Sequence, residues 1–244
     1  MATEHLLRNA VLLLASAGFA SLASCAGAPS ESKATATVAT ATTPVTACNF
    51  GAFVAENDPA GLNVRAEPNS SAKILGKLPR TFVEPSAGYG VRIEVEVAGT
   101  RNGWFLIRNA KDNDALTGQP ARRLYNGEGW VSGSKLTVKS QADVGRAQPG
   151  PQAAAVLRIG ENQTFDDDDT IEAARLVDCK GTWAQLEFAD QRFPAETRAS
   201  VKVERAAREG LPSGRFRAWV DRICAIQETS CPSLGAPEQA PRAD

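Results

Sequence analysis

All four tryptophans of this chain fall at matched places in two copies of one pattern. Leu62-Asn63-Val64-Arg65-Ala66-Glu67-Pro68 is echoed by Asp143-Val144-Gly145-Arg146-Ala147-Gln148-Pro149. A short apolar stretch follows each, Lys73-Ile74-Leu75-Gly76 in the first and Ala155-Val156-Leu157-Arg158 in the second. Each copy then enters a tryptophan through a turn, Asn102-Gly103-Trp104 and Gly181-Thr182-Trp183. Each ends on a Trp-Val pair, Gly129-Trp130-Val131 and Ala218-Trp219-Val220. Repetition in this order means that one structural unit is built twice, so a fold assigned to either half must serve for the other.

The unit reads as β. Residues 91–97 alternate strictly, with Val91, Ile93, Val95 and Val97 on one face. Asn102-Gly103 is a tight-turn signal, since both residues tolerate positive φ, and it makes Arg92 to Arg108 a hairpin. No long stretch carries a helical period. The best local candidate is Val201 to Glu209, stopped by Gly210-Leu211-Pro212, where a short helix is expected.

Gly61-Leu62-Asn63-Val64-Arg65-Ala66-Glu67-Pro68, then Gly103-Trp104, then Gly129-Trp130-Val131, resembles the bacterial SH3 domain, or SH3b. The resemblance implies an all-β chain of two tandem small SH3-like barrels, the first over 48–139 and the second, degenerate, over 140–234. In the second copy Gly145 stands for Val64, Thr182 for Gly103 and Ala218 for Gly129. Domains of this kind bind rather than catalyse, and several recognise peptidoglycan stem peptides or cross-bridges. The implied partner is therefore peptidoglycan or another envelope protein. A protein–protein adaptor role in an envelope complex is the alternative.

The N-terminus supports export. Arg8 precedes a run from Ala10 to Ala20 whose only polar residue is Ser16. That run is shorter than the ~20 apolar residues a transmembrane helix needs. Leu22-Ala23-Ser24-Cys25 then resembles the lipobox of bacterial lipoproteins, in which the cysteine thiolate takes the lipid. Residues 1–24 are expected to be a signal peptide and Cys25 the lipidated first residue of a disordered tether, 25–47, rich in Ala, Thr, Ser and Pro. A disordered tail is expected over 235–244. Ala26, where Asp would resemble an inner-membrane signal, implies the outer membrane facing the periplasm. The remaining cysteines, Cys48, Cys179, Cys224 and Cys231, are even in number, as expected of two disulfides in an exported chain. Cys224 and Cys231 are close enough in sequence to join across a turn, which leaves Cys48 for Cys179. Pairing of Cys179 with Cys224 or Cys231 is the alternative.

The only histidine, His5, lies in the expected signal peptide. The mature chain then offers no Ser-His-Asp or Cys-His arrangement and no His-ligated metal site, so no enzyme, cofactor or metal is expected. Asp166-Asp167-Asp168-Asp169 reads as a solvated loop, with a weak Ca²⁺ site as the other reading. A net charge of −1 gives no reason to expect nucleic acid. The candidate ligand residues are aromatic: Tyr89, Trp104, Tyr125 and Trp130, beside the long connection Asn109 to Glu128. Trp104 is expected in the core and Trp130 half exposed at a groove wall. The groove is expected on the first copy, because the second has lost three pattern residues.

Overall fold

In the computed structural model residues 43–227 are described. The signal peptide, Cys25, Cys231 and the tail lie outside them. The described chain is predominantly antiparallel β-sheet. In order it runs β1 (Thr46–Val54), β2 (Leu62–Arg65), β3 (Ile74–Leu78), β4 (Phe82–Val83), β5 (Gly90–Val91), β6 (Glu94–Arg101), β7 (Trp104–Lys111), α1 (Asp114–Thr117), β8 (Gly129–Ser132) and β9 (Leu136–Thr137). It continues β10 (Gly145–Arg146), β11 (Ala155–Ile159), α2 (Asp168–Ala173), β12 (Ala174–Lys180), β13 (Trp183–Ala189), α3 (Ala195–Ser200), β14 (Val201–Val203) and β15 (Arg215–Val220). The first sheet begins at Thr46, which pairs with Thr100, so the end of the stretch expected to be tether is already strand. No helix among the described residues is long and apolar enough to cross a membrane.

The sequence repeat becomes a repeat of sheet order. While β4 and β5 pair by themselves, one sheet runs β3-β2-β8-β7-β6-β1-β9 and a second β12-β13-β15-β10-β11-β14. Within them β3-β2-β8-β7-β6 and β11-β10-β15-β13-β12 are the same succession of the same repeat elements. The local bonds recur too. Arg65 lies across from Trp130, and Arg146 across from Trp219. Arg65 Nη1 donates to the Ala72 carbonyl at 2.8 Å, and Arg146 Nη1 to the Ala153 carbonyl at 2.7 Å, so each arginine closes the turn that follows it.

The three departures of the second copy from the pattern are compensated. A Cβ on Gly129 would stand 2.5 Å from Val64 Cγ1. At the equivalent place a Cβ on Gly145 would stand 2.5 Å from Ala218 Cβ. Bulk has changed sides across the same close pair, Val64 with Gly129 in one sheet and Gly145 with Ala218 in the other. The hairpin tip has changed in the same way. Asn102 and Gly103 both have positive φ, whereas in Gly181-Thr182 only Gly181 does. The glycine has moved to the first central position, where a turn of that hand requires it, and Thr182 needs none.

Val91, Ile93, Val95 and Val97 are all buried, but so are Arg92 and Glu94 between them, and the stretch is broken into β5, where Val91 pairs with Phe82, and β6. The short helix expected over Val201 to Glu209 is not there. Val201 and Val203 instead pair with Ile159 and Leu157, which suits β-branched side chains, and only Arg205–Arg208 coils, as one 3-10 turn. The nearby helix, α3, starts directly after Pro194.

One buried cluster includes Phe50 and Phe105 from the first sheet and Phe165, Phe188 and Phe216 from the second half. Phe188 and Phe216 stack with ring centroids 5.2 Å apart. The seam between the halves is held in four ways. Cys48 on β1 is disulfide-bonded to Cys179 on β12, which excludes pairing of Cys179 with Cys224 or Cys231. Cys224 is disulfide-bonded as well, and its expected partner Cys231 lies outside the described residues. The tip of the β12–β13 hairpin is stitched to β1, Asn49 N–H donating to the Gly181 carbonyl at 2.8 Å and Gly181 N–H to the Ala47 carbonyl at 3.0 Å. Between the sheets, buried Thr137 on β9 donates its hydroxyl to the Ile171 carbonyl on α2 at 3.0 Å. Finally, the segment after β15 returns to the first half. Gly51 leaves room for Ala225, and Gln227 accepts from Arg92 N–H at 2.7 Å and donates its own N–H to Glu94 Oε1 at 3.0 Å.

Two outcomes follow from this packing. Replacing Cys48 and Cys179 together by Ser opens a crosslink spanning 131 residues of sequence. Denaturant unfolding should show a loss of up to about 5 kcal/mol on the chain-entropy account. At the exchanged pair, Gly145→Ala should cost about 1–3 kcal/mol by crowding. Adding Ala218→Gly should return part of that loss. A double variant no more stable than Gly145→Ala alone would show that the close pair is not the constraint.

Candidate functional site

On β7 and β8 side chains alternate between the two faces. Phe105, Ile107 and Val131 point into the core and are fully buried. Trp104, Leu106, Trp130 and Ser132 therefore share the outer face, with Trp104 across from Ser132 and Leu106 across from Trp130. Arg101 pairs with Trp104 across the hairpin and places its guanidinium carbon 5.3 Å from the Trp130 ring centroid. That is cation–π geometry.

The exposures of the two tryptophans are the reverse of those expected. Trp130 is only 7% exposed, because Arg101 covers its ring and Arg65 stands on its other side. It is not a half-exposed groove wall. Trp104, expected in the core, is the half-buried one and offers the more open indole of the pair.

Tyr125, on the long connection, packs against the buried core instead. Its N–H donates to the Lys77 carbonyl at 3.2 Å, which lays the connection along β3. Its ring lies against Gly76 and Gly127, where any Cβ would collide with it, and its hydroxyl donates to the Glu128 carbonyl at 3.3 Å. Beyond it, Ile74 on β3 is 46% exposed and Leu75 is exposed as well. Tyr89 is placed elsewhere. It is 39% exposed, donates its hydroxyl to the Leu116 carbonyl on α1 at 3.0 Å, and lines a cavity of about 590 Å³ with Lys139, Asp167 and Ile171. Of the four aromatic candidates, the fold brings Trp104 and Trp130 together on the outer face of the adjacent strands β7 and β8, packs Tyr125 against the core beside β3, and places Tyr89 elsewhere.

The connection from Asn109 to Glu128 is pinned by one ion pair. Arg122 directs Nε and Nη2 onto both carboxylate oxygens of Asp112, at 2.5 to 3.1 Å, and its N–H donates to Oδ2 at 2.7 Å. Its remaining arm reaches the Arg80 carbonyl at 2.8 Å. Burial pushes the Asp112 carboxyl upward, but the bonds and charge of Arg122 outweigh it and hold the group below its ordinary value.

The acidic run has structural partners. Asp167 caps α2, accepting from Thr170 N–H at 2.9 Å and from its hydroxyl at 2.7 Å. Asp166 accepts from the Thr164 hydroxyl and Asp169 from the Thr197 hydroxyl, both at 2.5 Å. Among the described residues no three His, Cys, Asp or Glu side chains stand close enough together to hold a metal.

Sequence reasoning missed a basic cleft of about 440 Å³ at the seam. The second half supplies Arg175, Arg192, Arg215, Arg217 and Glu187, and the first half supplies Gly103, Ser132 and Ser134. Glu187 accepts from Arg215 Nη1 at 3.1 Å and from Arg217 Nε and Nη2 at 2.8 and 2.6 Å. Arg215-Phe216-Arg217 was the available signal, since alternation about a core phenylalanine puts both arginines on one face. Arg175 and Arg192 are brought to it only by tertiary packing.

The pinned connection yields a pH expectation. The Asp112 carboxyl titrates below its unfolded value of about 3.9, so its stabilisation is complete above that pH and is lost as pH falls through the folded value. Amide hydrogen exchange across Asn109 to Glu128 should quicken below about pH 4 and should already be fast at neutral pH in Asp112→Asn. Unchanged exchange in that variant would show that Arg122 does not hold the connection.

Compared with family models, with curated proteins and with solved structures, the chain matches none.

Proposed function

We propose that this chain is a non-enzymatic cell-envelope lipoprotein, exported and anchored through lipid on Cys25, whose two SH3b-like units bind a cell-wall or peptide ligand. The observation that carries the reading is the doubled unit. Two sheets share one five-strand order, and in each a Trp-Val pair lies across from the arginine of an Arg-x-x-Pro turn. That doubled unit supports a scaffold for binding. The peptidoglycan ligand itself comes from the resemblance.

The first copy remains the better place for the ligand, for a reason different from the one read in the sequence. Its pattern is not better kept, since the departures of the second copy are compensated. What it adds is the Arg101–Trp130 pair on the outer face beside Trp104, and a pinned connection laid along β3. Trp104 and Leu106 are the half-buried apolar groups of that face, flanked by Arg101. The exposed Ile74 and Leu75 on edge strand β3 favour the adaptor reading, in which a protein partner covers that edge.

Co-sedimentation with purified peptidoglycan sacculi separates the readings. Trp104→Ala, checked to be folded by thermal melt, should lower retention roughly tenfold or more if the indole is a hot spot, while Trp183→Ala on the second copy should not. Wild-type protein that fails to sediment with sacculi would leave the adaptor reading. Release of soluble muropeptides by the pure protein would refute a non-enzymatic role.

A further inference from the structure

We propose that the seam cleft lined by Arg175, Arg192, Arg215 and Arg217 is an oxyanion site, receiving a carboxylate or phosphate group of a ligand. Four arginines line this cleft against the single acidic residue Glu187. Glu187 serves Arg215 and Arg217 together, at side-chain oxygens of its own for each. Arg175 directs its Nη1 to two backbone carbonyls, Glu172 at 2.9 Å and Ala174 at 2.5 Å. The nearby carboxylate of Glu172 is ion-paired with Arg92, which is only 3% exposed. Arg192 is exposed and has no side-chain hydrogen bond or ion pair among the described residues.

The field inside the cleft is therefore positive and incompletely neutralised. Burial, and next the charge of Arg192, push Arg175 down to about 10 from the ordinary arginine value. An anion between Arg175 and Arg192 would reverse the second of those effects. Planar guanidinium forks match the paired oxygens of carboxylate and phosphate, and the hydroxyls of Ser132 and Ser134, 2.9 Å apart, add donors on the opposite wall. Nothing lies within 4 Å of where a Cβ on Gly103 would stand, so that side of the mouth is open. Surface arginines are often merely solvated. Here, however, they converge from three separate elements on a concavity whose other wall belongs to the other half of the molecule. Gly103 precedes Trp104 in the chain and Ser132 pairs with it, so the cleft adjoins the aromatic face. The inference does not depend on a cell-wall ligand, because free anions test it.

The test is calorimetric titration of the full chain at low ionic strength with inorganic phosphate in one arm and glutarate in the other. Saturable 1:1 binding of at least one anion is expected, weakened roughly tenfold by Arg192→Gln and by added salt. Lys202→Gln, an exposed charge on β14, should leave it unchanged. Phosphate binding alone identifies a phosphate ligand, glutarate binding alone a carboxylate ligand, and both together a general oxyanion site. Arg175→Gln serves as a second variant and is read alongside a thermal melt, because Arg175 also bonds to backbone at the end of α2. No saturable binding of either anion overturns the proposal. So does equal weakening by Arg192→Gln and Lys202→Gln, which would reduce the effect to net charge.

Discussion

The structure depends on β1 belonging to both halves. Its backbone is paired with β6 and β9 in the first sheet, while Cys48 and Asn49 fasten it to the β12–β13 hairpin of the second. A single small sheet with one apolar face is marginal in water. Joined through this strand, the two sheets bury phenylalanines in one continuous cluster. The close approach of Gly133 to the Leu176 carbonyl belongs to the same seam, since any side chain there would collide with β12. The basic cleft exists because of that approach: Ser132 and Ser134 flank Gly133, and Arg175 precedes Leu176.

Charge is balanced over the chain and segregated within it. Asp112 and Arg122 neutralise each other in a half-buried pair, a use that stabilises a connection and leaves little charge for a ligand. Arg101 is held over an indole rather than a carboxylate. Glu172, shared between Arg92 and the neighbourhood of Arg175, cannot satisfy both. Excess positive charge is thereby concentrated at the seam of a molecule whose formal net charge is −1.

What was legible in the sequence was whatever depends on local period or on order along the chain. The Val91–Val97 alternation located buried valines, though the chain breaks there into β5 and β6, Asn102-Gly103 located a hairpin, and the matched tryptophans announced a repeated β unit, expected as two barrels rather than as two sheets over one core. Cys48 and Cys179 were paired by elimination, without knowledge of any contact. What depends on pairs distant in sequence was not legible. Gly145 and Ala218 read as two separate losses, and only contact across β10 and β15 shows one exchange of bulk. Trp130 read as exposed because no local pattern reveals that Arg101 folds over it. Val201 and Val203 read as part of a helix because their partners on β11 lie some 40 residues earlier. The cleft was hidden for the same reason, its walls coming from both copies.

The position of the disulfide on β1 bears on how the body withstands force. Any pull on the chain ahead of Thr46 would tend to peel β1 from β6, starting with the Thr46 and Ala47 pairs. Peeling reaches Cys48 at the next residue, and from there the load passes through a covalent bond to β12 in the second sheet. Tension applied at the N-terminal strand is thus carried by both sheets before the remaining hydrogen bonds of β1 are loaded.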